Sequence, residues 1–385
     1  MDKLKAKDVL AAHGIPQVPR IGLRDTEADD ATRLVAEAGL RYPVFVKPAN
    51  LGSSVGVSRV ANEPALAEAV ALAAAGGSAR GATMYVTLEP CNHHGRTPPC
   101  TQAIIDAGIA EVRYAVADPD RRVDGGGHVT LAGAGVRVVA GDGEAEARRI
   151  NEAFFKHRTT GLPFVIAKFA ASLDGRIAAA SGDSRWVSGP ETRAWAHNLR
   201  TRIDAILAGS STVVIDDPEL TARPGDQLAE RQPLRVVVDS RGRTPPMARV
   251  FTGPAKTIVA TLADSPASWR AALEAQGAEV LALPAAIDGH VDPSALLHEL
   301  GRRDILTVLV EGGGVLLGGF FDHGLVDKVH AVLAPMIIGS AEAPAAVAGT
   351  GAYRMADALR LREVTVERLG EDILVTGYPL YPAAP

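Results

Sequence analysis

From residue 163 to the C-terminus, short apolar runs rich in Val, Ile, Leu and Ala alternate with segments of helical spacing. Parallel strands need a long crossover connection between them, so this alternation favours a mainly parallel sheet. The last two runs, 360–367 and 373–378, instead alternate like an antiparallel hairpin. The other predicted strands are 163–169, 204–208, 234–239, 256–260, 279–283, 306–310 and 328–333. The pattern predicts one large α/β unit.

A shorter stretch of the same alternation occupies residues 80–150. Its predicted elements are strands at 82–87 and 111–116, a helix at 99–107, a glycine-rich turn at 125–127 followed by a helix, a strand within 135–140, and a connecting helix with its loop over 144–161. This order predicts a smaller α/β unit, also with a mainly parallel sheet, ahead of the large one.

The two cysteines of the chain, Cys91 and Cys100, lie within this smaller unit. Cys91 follows the predicted strand, and Cys100 opens the predicted helix, where the helix dipole favours a thiolate. Two thiolates so placed can hold zinc, but a catalytic zinc also needs a third protein ligand and an open position for water. The spacing alone is compatible with a zinc site or with two buried cysteines that bind nothing.

Charge and hydropathy exclude several classes of partner. The formal net charge of −5 gives no electrostatic reason to bind nucleic acid or an anionic membrane. No apolar run reaches the ~18 residues that a membrane span requires, and the first residues lack the apolar core of a signal peptide. We therefore expect a cytoplasmic protein, in which paired cysteines more often bind metal or take part in chemistry than form a disulfide.

The segment TLEPCNHHGRTPPC, at 87–100, resembles the zinc motif of the bifunctional riboflavin-biosynthesis deaminase–reductases. In that family a cytidine-deaminase-like domain precedes a dihydrofolate-reductase-like domain, and the resemblance runs from about residue 68 to the C-terminus. A family His-Ala-Glu triplet supplies one zinc ligand and the general acid/base. The triplet falls here on Leu66-Ala67-Glu68, so the resemblance gives Glu68 the proton-shuttle role and leaves Cys91 and Cys100 as metal ligands.

Leucine cannot bind zinc, so Leu66 removes the third ligand of the implied site. The neighbouring His93 and His94 accompany a complete zinc set in the family, which makes them poor substitutes. The family's opening strands and its Pro-Asn-Pro substrate loop are also absent. The deaminase domain is therefore interpreted as N-terminally truncated, with its activity in question.

The N-terminal residues 1–73 resemble a different family, the D-alanine–D-alanine ligases of the ATP-grasp fold. The segments LAAHGIPQVP and YPVFVKPANLGSSVGVSRV carry this likeness, and it implies that Lys47 and the loop 52–56 match nucleotide-phosphate contacts. The magnesium carboxylates that such a phosphoryl transfer needs do not follow. The expected organisation is an ATP-grasp-like fragment at 1–73, a truncated cytidine-deaminase-like zinc domain at 74–150, and a dihydrofolate-reductase-like domain at 163–385.

A strand that breaks into glycines before an apolar helix, at 309–314, is the strongest local sign of cofactor binding. Such a turn exposes backbone N–H groups to a dinucleotide phosphate. The resemblance implies that the following residues contact the cofactor: Ala170, Trp186, Thr212, Asp216, Ser240, Gly313, Gly314, Gly318 and Gly319. It implies that these contact the substrate: Ser184, Arg200, Leu220, Arg223 and Glu311. Arg200 and Arg223 suit a ribose phosphate, and Glu311 suits hydroxyl or pyrimidine donors.

The implied reaction is the NADPH-dependent reduction of 5-amino-6-(5-phosphoribosylamino)uracil to the ribitylamino phosphate, by hydride transfer to the ribose C1. The preceding step of the family is the zinc-dependent deamination of 2,5-diamino-6-(ribosylamino)pyrimidinone phosphate. The zinc site implied for that step lacks one protein ligand in this chain. The alternatives are a fully bifunctional enzyme with a substitute ligand, a D-alanine–D-alanine ligase, and a non-catalytic scaffold. The expected partner is the phosphorylated ribosylaminopyrimidine. Because members of the family commonly self-associate, the resemblance also implies a homo-oligomer.

Overall fold

The computed structural model describes residues 44–46, 58–60, 79–92, 99–120 and 126–382. Several residues on which predictions were made lie outside this part of the chain: Lys47, the loop 52–56, Leu66, Glu68, His93 and His94. The chain divides into two compact units, 1–151 and 152–385. Within the described residues, none of the helices has the length and apolar character that crossing a bilayer demands.

The first unit contains a three-stranded parallel sheet in the order β3-β4-β5 and a separate antiparallel pair, β1-β2. Its described elements are β1 (Val44–Val46), β2 (Ser58–Val60), β3 (Thr83–Leu88), α1 (Cys100–Ala107), β4 (Glu111–Val116), α2 (Gly126–Gly133), β5 (Arg137–Ala140) and α3 (Glu144–Ile150). Ile104, Val112 and Leu131 are fully buried between α1, β4 and α2. The predicted parallel sheet is confirmed.

Two local predictions in this region were wrong. Of the glycines predicted to form a turn, Gly126 and Gly127 begin α2, and a Cβ on Gly127 would lie 1.8 Å from the carbonyl oxygen of Pro90. Close packing, rather than a turn, requires that glycine. The connecting helix and loop predicted over 144–161 are instead two helices. The first, α3, ends at Ile150 and is followed by Asn151, whose Nδ2 donates to the carbonyl of Ala147 (2.9 Å). The second, α4 (Glu152–Thr160), begins the second unit.

The second unit is built on nine strands. Their bounds are β6 (Phe164–Ser172), β7 (Ala205–Gly209), β8 (Leu234–Val238), β9 (Thr257–Leu262), β10 (Glu279–Leu283), β11 (Thr307–Glu311), β12 (Lys328–Ala334), β13 (Arg360–Leu369) and β14 (Asp372–Leu380). They form one sheet in the order β10-β9-β8-β7-β11-β6-β12-β14-β13. The first seven strands in this order, from β10 to β12, run parallel to one another. The pairings of β12 with β14 and of β14 with β13 are antiparallel. Both the parallel sheet and the terminal hairpin are confirmed.

Helices cover this sheet because its central strands are apolar on both faces. They are α5 (Pro190–Arg200), α6 (Ser210–Asp216), α7 (Ala267–Ala275), α8 (Pro293–Arg302) and α9 (Gly314–Asp322). In β11, Val308 and Val310 join one buried apolar cluster while Leu309 joins another, as expected where successive side chains point to opposite faces. A strand buried on both faces has a continuous apolar sequence. The strands of the second unit could therefore be predicted from their apolar runs.

Candidate active site

A cavity of about 580 Å³ opens within the second unit, beside the carboxyl ends of its central parallel strands. Lys168 and Ala170 of β6, Gly209 of β7, Val238 of β8 and Glu311 of β11 all line it. In open α/β sheets, ligands bind in the crevice outside the carboxyl ends of the strands. The fold therefore places the cavity where a small-molecule site is expected.

Most of the site residues predicted from the sequence line this one cavity. The predicted cofactor residues on its wall are Ala170, Thr212, Asp216, Ser240, Gly313, Gly314 and Gly319, and the predicted substrate residues on it are Ser184, Arg200, Leu220 and Glu311. They come from positions up to about 150 residues apart and meet only because the parallel strands end together. Ser184 also donates from Oγ to Oδ1 of Asp216 (2.7 Å), which links the two predicted sets directly.

Three predicted residues do not lie on the cavity wall. The Trp186 side chain is 65% exposed, and the guanidinium carbon of Arg193 lies 4.6 Å from its ring centroid. Gly318 packs against backbone, since a Cβ there would lie 2.1 Å from the carbonyl oxygen of Ala348. Arg223 points to its own loop, where Nη1 donates to the Thr221 hydroxyl (2.9 Å) and to Glu219. Their roles in ligand binding stay predictions.

The glycine turn after β11 has a backbone that side chains would disturb. Gly312 and Gly313 have φ angles of +96° and +82°, a conformation that costs glycine little and other residues more. A Cβ on Gly312 would lie 3.1 Å from the Thr212 side chain, and one on Gly314 would lie 2.4 Å from the Ala345 carbonyl oxygen. These contacts pack the turn against Thr212 and Ala345, and the three glycines also line the cavity, so the turn forms a glycine cradle whose backbone can lie close to a dinucleotide phosphate.

Glu311 is the buried anion of the cavity. Its Oε2 accepts hydrogen bonds from Nε (2.9 Å) and Nη2 of Arg200, and the Lys168 ammonium lies 3.3 Å from Oε1. Burial alone would raise the pKa of this carboxyl, but the charges of Arg200 and Lys168 outweigh burial and lower the pKa to about 2. Oε1 accepts no hydrogen bond from the described residues. With only the Lys168 ammonium beside it, Oε1 keeps capacity to accept a hydrogen bond from a ligand donor.

Arg200 and Arg223 converge on Thr221. Nη1 of Arg200 donates to the Thr221 carbonyl (3.0 Å), while Nη1 of Arg223 donates to the hydroxyl of the same residue. Burial, followed by the charge of Arg200, lowers the pKa of Arg223. Burial and both guanidinium groups also lower the pKa of His197, whose Nδ1 accepts from the Arg223 backbone N–H (3.3 Å). This concentration of positive charge favours an anionic group nearby.

Sequence reasoning missed three basic residues of the cavity: Lys168, Arg241 and Arg243. Lys168 interrupts the otherwise apolar β6, and a lysine in a buried strand is unusual unless it is paired. That interruption was an available signal. Arg241 and Arg243 belong to a glycine- and proline-rich loop after β8, whose composition indicates only a turn.

The two cysteines of the first unit, the predicted metal ligands, lie side by side. The two sulfur atoms lie 3.2 Å apart, and the backbone N–H of Cys100 points to the sulfur of Cys91 (3.4 Å). Two thiolates on one tetrahedral zinc, each at roughly 2.3 Å, would lie roughly 3.8 Å apart, so a small adjustment would let both bind one ion. Within 79–92, 99–120 and 126–382, no group of three metal-binding side chains occurs. The described residues therefore do not complete a catalytic zinc site.

Comparisons with known proteins agree with this architecture. The model of the RibD C-terminal domain matches residues 163–375. Riboflavin biosynthesis protein RibD of Escherichia coli is 38% identical over 328 residues, which cover 83% of this chain and 87% of that protein. The chain belongs to the RibD family. The RibD of Synechocystis is 42% identical over 315 residues, covering 81% of this chain and 83% of the relative.

Solved RibD structures share the fold of this chain. Acinetobacter baumannii RibD superposes with a TM-score of 0.72 at 31% identity, covering 93% of this chain and all of that one (100%). The Thermotoga maritima diaminohydroxyphosphoribosylaminopyrimidine deaminase/5-amino-6-(5-phosphoribosylamino)uracil reductase also gives a TM-score of 0.72 at 31% identity, over 92% and 98% of the two chains. The predicted fold class, a cytidine-deaminase-like region followed by a dihydrofolate-reductase-like domain, is confirmed.

Two further family models match the N-terminal part and overlap. The cytidine and deoxycytidylate deaminase zinc-binding region matches residues 44–116, and the D-ala D-ala ligase C-terminus matches residues 9–78. The predicted likeness to a ligase fragment is thus found, while the domain boundaries 1–73, 74–150 and 163–385 stay predictions. Membership of RibD confirms an enzyme of riboflavin biosynthesis with an NADPH-dependent reductase domain, in a family whose deaminase domain uses zinc.

Proposed function

We propose that this chain reduces 5-amino-6-(5-phosphoribosylamino)uracil with NADPH to the corresponding ribitylamino phosphate. One observation carries the proposal: the cavity at the strand ends combines a glycine cradle with a buried, ionised carboxylate whose Oε1 lacks a hydrogen-bond donor. The cradle suits a dinucleotide, and the carboxylate of Glu311 suits a sugar or pyrimidine donor. The Thermotoga maritima relative carries the name of this reductase.

The glycine cradle and its neighbours would hold the cofactor. Backbone N–H groups of Gly313 and Gly314 can approach a phosphate closely, and Thr212 lies directly beside the turn. The turn can face a dinucleotide because Gly312, Gly313, Gly314 and Thr212 all line the cavity. A bound NADPH would supply the hydride that forms the new C–H bond at the ribose C1, while the C1–O bond of the ring breaks and the ring oxygen takes up a proton from solvent.

Glu311 would orient the sugar or the pyrimidine. Its Oε2 is committed to Arg200, so the free acceptor is Oε1. Lys168 stays within ion-pair distance of this oxygen and can donate to the same ligand hydroxyl. With the carboxylate and its two cations preorganised before the substrate arrives, little rearrangement is needed at the moment of reaction.

Arg200 and Arg223 would bind the substrate phosphate. Both guanidinium groups have protein partners: Glu311 and Thr221 for Arg200, and Glu219 and Thr221 for Arg223. Glu219 also pairs with Arg249, so it can keep a cationic partner when a phosphate takes its place on Arg223. The substrate phosphate would therefore replace the Glu219 carboxylate as the anionic partner of Arg223.

A steady-state assay tests the proposed reduction. Purified chain should oxidise NADPH when given 5-amino-6-(5-phosphoribosylamino)uracil, and it should not do so when given the diamino precursor alone. Glu311→Ala should abolish this oxidation, whereas Glu274→Ala, on the exposed face of α7, should leave it intact. Absence of substrate-dependent NADPH oxidation by the folded wild type would contradict the proposal.

Zinc-dependent deamination is a second candidate function. The observation in its favour is the cysteine pair, whose sulfur atoms are close enough to share an ion, within a region that the deaminase zinc-binding model matches. Because position 66 is leucine, we expect less than one bound zinc per chain and no ammonia release from the diamino substrate. Leu66→His should raise the zinc content. A wild type with one zinc per chain and full ammonia release would instead support a substitute ligand.

We also propose that the chain is cytoplasmic and forms a homo-oligomer. The outer strand β13 supports self-association, because Val364 and Val366 are 50% and 65% exposed on a strand that, among the described residues, has β14 as its one neighbour in the sheet. Light scattering of the purified chain tests the assembly. A monomer at all concentrations would rule it out.

A further inference from the structure

The loop that follows β8 is wound around a buried carboxylate. Oδ1 of the fully buried Asp239 accepts from the backbone N–H of Arg241 (3.2 Å). Its Oδ2 accepts from the backbone N–H of Arg243 (2.7 Å) and from both N–H (2.6 Å) and hydroxyl (2.7 Å) of Thr244. In dinucleotide folds, an acidic residue that accepts from the adenosine ribose favours a cofactor without a 2′-phosphate. Asp239 is fully occupied by its own loop and is not available for that role.

The same loop presents two arginines to the cavity. Nη2 of Arg243 donates to the hydroxyls of Ser210 (2.9 Å) and Ser211 (3.0 Å), and these serines line the cavity together with Arg241 and Arg243. In the described part of the chain, neither arginine forms an ion pair with a carboxylate. Two guanidinium groups and two hydroxyls without an anionic partner form a donor set that matches a phosphate.

We propose that Arg243, with Arg241 beside it, recognises the adenosine 2′-phosphate and so selects NADPH over NADH. The inference rests on the proposed reductase function, and it deepens that function by naming the residues that set cofactor preference. Ser210 and Thr212 are two residues apart in α6, and Thr212 lies against the glycine cradle. Arg243 is therefore linked through Ser210 and α6 to the turn where the dinucleotide phosphates would bind.

Besides Asp239, a second carboxylate of the cavity lies near this position. Asp288 lines the same cavity, and the backbone of Val291 donates to Ser240 (2.9 Å), which brings that loop next to the arginines. Oδ1 of Asp288 accepts from the backbone N–H of His290 (2.9 Å), so this carboxylate is already held within its own turn. Asp239 and Asp288 both accept hydrogen bonds from backbone N–H groups of their own loops, so neither carboxylate occupies the two guanidinium groups in place of a phosphate.

Calorimetric binding of 2′,5′-ADP and 5′-AMP to the full chain tests the proposal without turnover. The wild type should bind 2′,5′-ADP more tightly. Arg243→Ala should weaken 2′,5′-ADP binding by roughly ten- to a hundredfold, as expected for a lost charge-assisted contact, and leave 5′-AMP binding unchanged. Arg243→Lys should lose less, because it keeps the charge, and Arg241→Ala should lose some of the preference. Arg302→Ala, at an exposed arginine of α8 paired with Glu299, is the matched control.

A kinetic comparison separates this inference from the proposed reaction. Arg243→Ala should raise the KM for NADPH by the same factor while the kcat with NADPH and the kcat/KM with NADH stay near wild type. The inference is overturned if the wild type does not distinguish the two nucleotides, or if Arg243→Ala keeps the full preference. If the preference disappears in Arg243→Ala but the wild type turns over neither cofactor, phosphate recognition stands and the proposed reduction fails.

Discussion

Nε of Arg200 donates to Oε2 of Glu311 over 2.9 Å, joining residues that are 111 positions apart in the sequence. Arg200 ends α5, and Glu311 ends the central strand β11. With Lys168 on the neighbouring strand, they form a buried cluster of two cations and one carboxylate at the cavity wall. The proposed function depends on this cluster, because it fixes both an anionic acceptor and a cation beside the same ligand.

Glu311→Gln should damage both activity and stability. The substitution keeps the shape of the side chain but leaves Arg200 and Lys168 without their common anion, a change that costs about 3–5 kcal/mol at buried pairs. We expect kcat/KM for the reduction to fall on the order of a hundredfold, as when a preorganised polar group is removed. Chemical denaturation and steady-state kinetics measure the two effects. Unchanged kinetics in a folded Glu311→Gln variant would remove Glu311 from the site.

The pH profile of the reduction should show no ionisation of Glu311 near neutrality. Its pKa in the folded protein, about 2, lies below the ordinary carboxyl value of 4.5, so the charged form contributes stability above that ordinary value. The contribution is lost as the pH falls from the ordinary value through the folded one. Between about pH 5 and pH 9, kcat/KM should therefore lack an acid limb from this group. An acid limb in the wild type that disappears in Glu311→Gln would contradict the assignment.

Arg223→Ala should act through the substrate phosphate. If Arg223 exchanges Glu219 for phosphate, its removal should raise KM for the phosphorylated substrate by roughly ten- to a hundredfold with a small change in kcat. A dephosphorylated analogue should show the same KM with wild type and variant. Arg231→Ala, which removes a surface partner of Asp204, provides the comparison. Equal losses with both substrates would mean that Arg223 only supports its loop.

Gly312→Ala should separate the strain of the cradle from its role in binding. The φ angle of +96° and the 3.1 Å approach to Thr212 both oppose a Cβ. We expect a loss of about 1 kcal/mol of stability from the backbone conformation and, in addition, weaker NADPH binding. Gly161→Ala has a similar φ of +74° but open space around it, so it should lose stability alone. Thermal unfolding and NADPH titration distinguish the two.

The sequence was most informative where apolar runs form buried strands. Every parallel strand of the second unit begins and ends within three residues of its predicted bounds, because strands buried on both faces leave a continuous apolar signal. The glycines at 126–127 led to a wrong turn prediction. In the sequence, a glycine that is needed because the Pro90 carbonyl leaves no room for a Cβ cannot be told from a glycine that is needed for a turn. The direction of a side chain was also invisible, so Trp186 and Arg223 were grouped with residues that line the cavity. Roles for Lys168 and Arg243 could not be predicted from the sequence, because they depend on groups that only the fold brings beside these two residues.

The most direct test of the central claim follows the hydride itself. The account requires that the second unit bring reduced nicotinamide against C1 of a phosphorylated sugar. NADPH dideuterated at the nicotinamide C4 is incubated with the chain and 5-amino-6-(5-phosphoribosylamino)uracil, and the product is analysed by NMR and mass spectrometry. The account predicts one deuterium at C1′ of the ribityl chain for each NADPH oxidised. A product without deuterium at C1′, or no product from folded protein, would contradict it.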